Sequence, residues 1–272
     1  MIINDVCYRN VKETLELLKS KLNDANANDG SLQHEIALRE KDVSLYEAVV
    51  GGRAQLPDLD EFIRFPEKLI LRRISQHISV ETLASRCKHN YKLELEASEI
   101  IEYELSNYAD AKYQTMLCIA NALKEIGSAN ESSDLTSLKD NEDASKDIKD
   151  ASLTCPEKFE EWTNKIRDLS LSKKTVSDSQ LAELQNFSEA LIMWRLAKKW
   201  SYKQLAEQAD IDWLKLWFLE QNGYYGANFA TMVQIATVVK DGEHEPSESS
   251  FDPDDITELA DLGADLSYEE RR

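Results

Sequence analysis

The side chains that could do chemistry in this chain are mostly scattered, and only three groups of them cluster. The four histidines, His34, His77, His89 and His244, are far apart, and none stands beside a nucleophile or a metal-ligand set. The four cysteines, Cys7, Cys87, Cys118 and Cys155, have no CxxC spacing, which fits reduced thiols rather than a disulfide framework or a zinc site. No HExxH, glycine-rich phosphate loop or nucleophile elbow occurs. No enzyme, cofactor or metal is therefore expected. The first cluster is basic: Arg195, Lys198, Lys199, Lys203 and Lys215, cations of the kind that hold phosphates. The second is apolar: Trp213, Leu214, Trp217 and Phe218. The third is acidic: Glu96, Glu99 and Glu102, which on a helix fall within about 120° of one another at roughly 100° per residue.

The charge that surrounds these clusters is uneven. The 272 residues carry 51 acidic and 32 basic groups, net −19, which argues against a generic polyanion binder. Residues 64–127 and 185–242 are each neutral, with 9 against 9 and 6 against 6 charges. The excess lies elsewhere: net −5 in 1–63, −4 in 128–154, −1 in 155–184 and −9 in 243–272. The Ser/Asp/Asn/Lys-rich stretch 128–154 has too few large apolar residues to offset its ordering entropy and reads as an acidic linker. The segment 243–272 reads as an acidic tail. Within it Asp252-Pro253 starts a short helix with Ile256, Leu259 and Leu266 as its apolar stripe, stopped by Gly263. Ile256 and Leu259 are its candidate contact residues. The apolar runs are far short of a membrane span. The opening Met-Ile-Ile-Asn-Asp-Val lacks the regions of a signal peptide, so a cytoplasmic protein is expected.

The elements that would position the clusters are helical. Val11, Leu15, Leu18 and Leu22 share one helical face, Asn26–Gly30 breaks the chain, and Ser31 is placed to cap a second helix. Leu32, Ile36, Val43, Tyr46 and Val50 form that helix's seam, ended by Gly51-Gly52. Residues 1–63 are thus expected to form a helical hairpin. Its seams are covered either by the rest of the chain or by a second copy in a homodimer.

The two neutral blocks are copies of each other. Leu69–Ala84 aligns with Leu191–Ala206 at an offset of 122. Glu104, Tyr108, Ala111, Tyr113, Met116, Ile119 and Ala120 align with Glu220, Tyr224, Ala227, Phe229, Met232, Ile235 and Ala236 at an offset of 116. The first copy therefore carries six extra residues between Ala84 and Glu104, ahead of its third helix. In the second copy Ser201-x-x-Gln204 forms a capping box, Asp212 caps a third helix, and Asn228 caps a fourth. Ser79 and Asp110 are the expected caps of the first copy, and Pro66 opens its first helix.

At these residues the chain resembles the lambda-repressor-like (Cro/Xre-type) helix-turn-helix family. The resemblance rests on Arg73, Ser79, Leu83-Ala84, Tyr103-Glu104 and Ile119–Leu123, and again on Arg195, Ser201, Leu205-Ala206, Leu219-Glu220 and Ile235-Ala236. It covers roughly half the chain, and a helical hairpin ahead of such a module also resembles bacterial antitoxins and regulators. The implied fold is all-α: the hairpin at 1–63, a first helix-turn-helix domain at 64–127, the linker at 128–154, a second domain with preceding helices at 155–242, and the tail at 243–272.

The resemblance implies double-stranded DNA binding, with the third helix in the major groove and polar residues at its reading positions. Both third helices depart from that pattern. Carboxylates at 96, 99 and 102 repel a phosphate-lined groove, and the apolar 213–218 cluster suits a protein contact or an intramolecular lid. Two readings stay open. One is an antitoxin-type regulator that grips a protein partner (a toxin or complex subunit) and binds operator DNA to autoregulate its operon. The other is a non-DNA-binding interaction subunit or adaptor of a bacterial or phage complex.

Overall fold

The computed structural model describes residues 2, 5–24, 30–132, 156–171 and 176–242. They form helices α1 (Asp5–Asp24), α2 (Gly30–Val50), α3 (Leu59–Ile63), α4 (Phe65–Ser75), α5 (Val80–Tyr91), α6 (Ala97–Leu105), α7 (Tyr113–Ser132), α8 (Pro156–Leu171) and α9 (Asp178–Ala182). A 3₁₀ turn at Glu183–Asn186 leads into α10 (Phe187–Ala197), α11 (Tyr202–Gln208), α12 (Trp213–Gln221) and α13 (Phe229–Asp241). Among the described residues there is no strand, and the chain is all-α.

The repeat is visible in the helix bounds. The spans of α4 and α10 lie 122 residues apart at both ends, and those of α6 and α12 lie 116 apart at both ends. Most of the extra sequence in the first copy becomes helix, since α5 has 12 residues where α11 has 7. The insertion thus lengthens the second helix rather than only loosening the turn behind it. The connecting turns repeat as well. His77 and Lys199 take left-handed φ values of 54° and 56°, and Tyr108 and Tyr224 take 59° and 60°. Ser79 accepts from the Thr82 amide, the Ser201–Gln204 capping box closes, and Asp212 accepts from the Lys215 amide.

The chain divides into two compact units that do not follow the linear boundaries read from sequence. One comprises Met1–Pro57, Glu189–Gly223 and Thr237–Arg272, the other Asp58–Ser188 and Tyr224–Ala236. Grouping 155–188 with the second copy is accordingly corrected. Helix α8 packs on α4 and α6, and α9 packs on α7, all within the unit that holds the first copy.

In the unit containing α1 and α2, part of the hairpin seam is buried, and Val11, Leu18, Leu22, Leu32 and Val50 are half-buried. Leu15, Ile36, Val43, Tyr46 and Val49 are buried, while Leu17 and Leu38 stay exposed. Tyr8 stacks on Tyr46 with centroids 4.8 Å apart and donates to Glu47 Oε1 at 2.5 Å. Helix α2 begins at Gly30, so Ser31 lies inside it rather than at its cap.

Each copy is closed by a buried ion pair. In the first, Arg73 Nε and Nη2 donate to Glu104 Oε1 and Oε2 at 2.6 and 2.7 Å, and Nη1 donates to the Ile78 carbonyl at 3.1 Å. In the second, Arg195 Nη2 donates to Glu220 Oε1 at 2.5 Å and Nη1 to the Trp200 carbonyl at 3.1 Å. Burial pulls the Arg73 guanidinium down, but the adjacent Glu104 charge outweighs it, so its pKa ends above the ordinary value. Burying two charges is tolerable only when each remaining donor also finds an acceptor. Here the carbonyl five residues after the arginine supplies one in both copies.

The two copies also cap each other. The first-turn amides of a helix have no partner within the helix. At α7, Tyr113 N donates to the Ala227 carbonyl at 2.9 Å and Gln114 N to the Tyr225 carbonyl at 3.3 Å. At α13, Phe229 N donates to the Ala111 carbonyl and Ala230 N to the Ala109 carbonyl, both at 2.9 Å. Each bond is the image of another under the offset of 116, and an isolated antiparallel bridge joins Lys112 to Asn228. Asp110 therefore does not act as the cap; it lies ahead of α7, whose amides are tied by the second copy. Around this junction Phe187 stacks on Phe62 at 4.8 Å and meets Phe229 at 6.0 Å, and Tyr113 donates its hydroxyl to the Leu184 carbonyl at 2.6 Å.

Two measurements check these constraints. Glu220→Leu leaves Arg195 buried without its counter-charge and is expected to cost about 3–5 kcal/mol in urea unfolding, most of it recovered by adding Arg195→Met. A double variant as unstable as the single one would show that charge balance is not the constraint. Proline in the first turn of an ordinary helix is nearly neutral. Ala230→Pro removes a cross-copy bond and should instead cost about 1 kcal/mol, so an unchanged midpoint would rule out mutual capping as a stabilising contact.

Candidate functional site

Helix α12 follows from its own sequence. Asp212 caps it, and Leu216, Leu219 and Glu220 turn inward and are buried. At roughly 100° per residue that leaves Leu214, Trp217 and Phe218 on the opposite side. Trp213, Leu214 and Trp217 are half-buried, while Phe218 is 59% exposed. Lys203 of α11 lies over the Trp213 ring, 5.4 Å from its centroid, and Lys215 is exposed on the other flank. The face is thus an apolar strip with an ammonium group on either side. Keeping the exposed part of that strip in water costs free energy.

The basic cluster does not survive as one surface. Arg195 is 1% exposed and held by Glu220, so it cannot reach a phosphate, and its sequence assignment as a DNA contact is corrected. The error has a plain origin: an arginine on a helix face reads as solvated until its buried partner is known. Lys198 Nζ donates to the Lys240 carbonyl at 2.7 Å and lies 5.9 Å from the Trp194 ring centroid. Its cation is therefore already placed at the C-terminal end of α13, where a positive charge is favoured. Lys199 and Lys215 are exposed and Lys203 is half-buried beside Trp213. Ile256 and Leu259 lie outside the described residues.

The acidic helix is accounted for differently. Glu99 accepts from the Glu96 amide at 2.8 Å, fixing the start of α6, and Glu102 pairs with Lys158 of α8 at 3.2 Å. Helix α8 then locks the C-terminal end of α6. Trp162 Nε1 donates to Glu104 Oε2 at 2.7 Å, and Lys165 Nζ donates to the Glu104 carbonyl and to Asn107 Oδ1. Burial lowers the Lys165 pKa despite the nearby Glu104 charge. These roles were not assigned from sequence. The available signal was the helical spacing of Phe159, Trp162, Ile166 and Leu169, an apolar seam needing a partner. Among the described residues no group of three His, Cys, Asp or Glu is placed to hold a metal, and no helix is long and apolar enough to cross a membrane.

No family model, curated protein or solved structure matches the chain.

The geometry of α12 separates its exposed and buried halves. Phe218→Ser is expected to change unfolding stability by less than about 0.5 kcal/mol, as for an ordinary surface position. Leu216→Ala should cost about 2–5 kcal/mol by opening a cavity. Equal losses in urea titrations would mean that Phe218 is packed in the free chain.

Proposed function

We propose that this chain is a tandem helix-turn-helix protein of the lambda-repressor-like type that grips a protein partner through α12. The observation that carries the proposal is the apolar strip Leu214–Trp217–Phe218 with Lys203 and Lys215 at its edges. Tryptophan is enriched at interface hot spots, and rings surrounded by polar residues are the usual anatomy of a docking surface. The matching helix bounds of the two copies, with their Ser79 and Ser201 caps, support the module assignment. As an antitoxin-type regulator the protein would sequester its partner and bind operator DNA to autoregulate, with Lys199, Lys203 and Lys215 as the phosphate contacts.

The second reading is an interaction subunit or adaptor that binds no DNA. What favours it is the state of α6. Its glutamates are engaged in capping and in the Lys158 pair, and its C-terminal end is bound by α8. A third helix so occupied is a poor groove reader. On either reading the partner contact is α12.

The two readings separate in solution. In the complex purified from its native host, Trp217→Ala should weaken the partner by about 2 kcal/mol or more, the size of a hot-spot loss. A complex of unaltered affinity would remove α12 as the contact. Reversing Lys199, Lys203 and Lys215 to glutamate tests the DNA arm. For a regulator, affinity for duplex DNA falls and the slope of log affinity against log salt decreases by about 0.9 per lost contact. Unchanged affinity and slope leave the adaptor reading.

A further inference from the structure

Independently of α12, we infer that α8 is a reversibly docking strap, which seals the first copy from outside where the second copy seals itself. The difference lies in what covers the buried ion pair. Over Arg195 stands Tyr202, its ring centroid 4.4 Å from the guanidinium carbon, and its hydroxyl accepts from Arg195 Nη2 at 3.3 Å. Tyr202 belongs to α11, within the copy, and is 1% exposed. Its counterpart at the offset of 122 is Val80, which has no ring to offer. In the first copy the aromatic cover comes from α8. The Trp162 ring centroid lies 5.5 Å from the Arg73 guanidinium carbon, and its indole N–H donates to Glu104 Oε2 at 2.7 Å. Each guanidinium thus has a ring over it, built into the second copy and supplied to the first by a separate helix.

The seat of α8 permits release. None of residues 158–171 is buried, and Phe159, Trp162, Ile166 and Leu169 are all half-buried. Helix α4, by contrast, buries six of its 11 residues. A cleft of about 430 Å³ is lined by Glu67 and Ile70 of α4, by Asn107 after α6, and by Lys165, Asp168 and Leu169 of α8. A permanent core layer would be close-packed there. The other bonds that hold α8 are polar. Lys158 pairs with the exposed Glu102, and the Lys165 ammonium donates to the Glu104 and Leu105 carbonyls and to Asn107 Oδ1. On release such groups exchange protein partners for water, and elements with little buried apolar surface open well below global unfolding. Undocking bares Trp162, the end of α6 and the Arg73–Glu104 pair together, a surface that the docked strap withholds. The second copy has no such opening, because Tyr202 can leave only with its own helix.

The test is hydrogen–deuterium exchange of the full chain, read by peptide mass spectrometry. Amides of α8 should exchange at least about tenfold faster than those of α4 and α7. Amides of α8 as slow as theirs would overturn the proposal. Trp162→Ala should speed exchange in α6 by about tenfold or more, the size of a lost hydrogen bond to a charged group, and leave α12 unchanged. Adding Val80→Tyr should return α6 toward its original rate while α8 stays fast, because the ring is then built in. An α6 that ignores Trp162→Ala would overturn the proposal, as would a double variant that exchanges no more slowly than the single one. Trp162→Phe keeps a ring and loses only the donor, and it reads the same contact should the alanine variant fail to fold. In it α8 should exchange faster than in the original chain, and an unchanged rate counts against the strap.

Discussion

The buried arginine–glutamate pair is the interaction on which each copy depends. It joins the first helix of the copy to the third, and the arginine also holds the carbonyl five residues on, where the chain turns into the second helix. One side chain thus fixes three elements. Solvating either charge would require opening the core, so the pair is less a source of net stability than a condition on how the helices meet. The left-handed residues at His77 and Lys199 sit inside that same turn, where the pair leaves the backbone little choice. In the first copy the constraint reaches further: Glu104 accepts from Trp162 as well as from Arg73, and α8 is thereby drawn onto α6.

The mutual capping of α7 and α13 makes the repeat more than a duplication in sequence. Equivalent amides meet equivalent carbonyls, as they do across a two-fold interface between identical subunits. Within one chain, the segments Ala109–Gln114 and Tyr225–Ala230 complete each other. The first copy carries carboxylates and a covering helix, the second an aromatic strip.

Much of the fold was legible in the sequence because it is written locally. Ser79, Ser201 and Asp212 cap where their side-chain oxygens permit, and the offsets of 122 and 116 reappear as helix bounds. What was not legible is non-local. Arg195 looked like a surface cation because nothing in its neighbourhood names Glu220, 25 residues away, as its partner. Asp110 looked like a cap because the donors' true acceptors lie in the other copy. Helix α8 was assigned to the copy it precedes, while its apolar seam and Lys165 belong with α6. Of the candidate site, the exposure of Phe218 could be read, whereas the partial burial of Trp213, Leu214 and Trp217 could not. The loss of Arg195 and Lys198 from the basic cluster could not.

Helix α12 faces both the core and the solvent. Its inward residues obey the ion pair and the core, while Phe218 stays exposed and is the residue on which the proposed docking face turns. A photo-reactive phenylalanine analogue at position 218, introduced into the full chain in its native host and irradiated, addresses that claim directly. The account predicts a discrete covalent adduct with one protein of defined mass. Adducts with nucleic acid alone, or no macromolecular adduct at all, would contradict it.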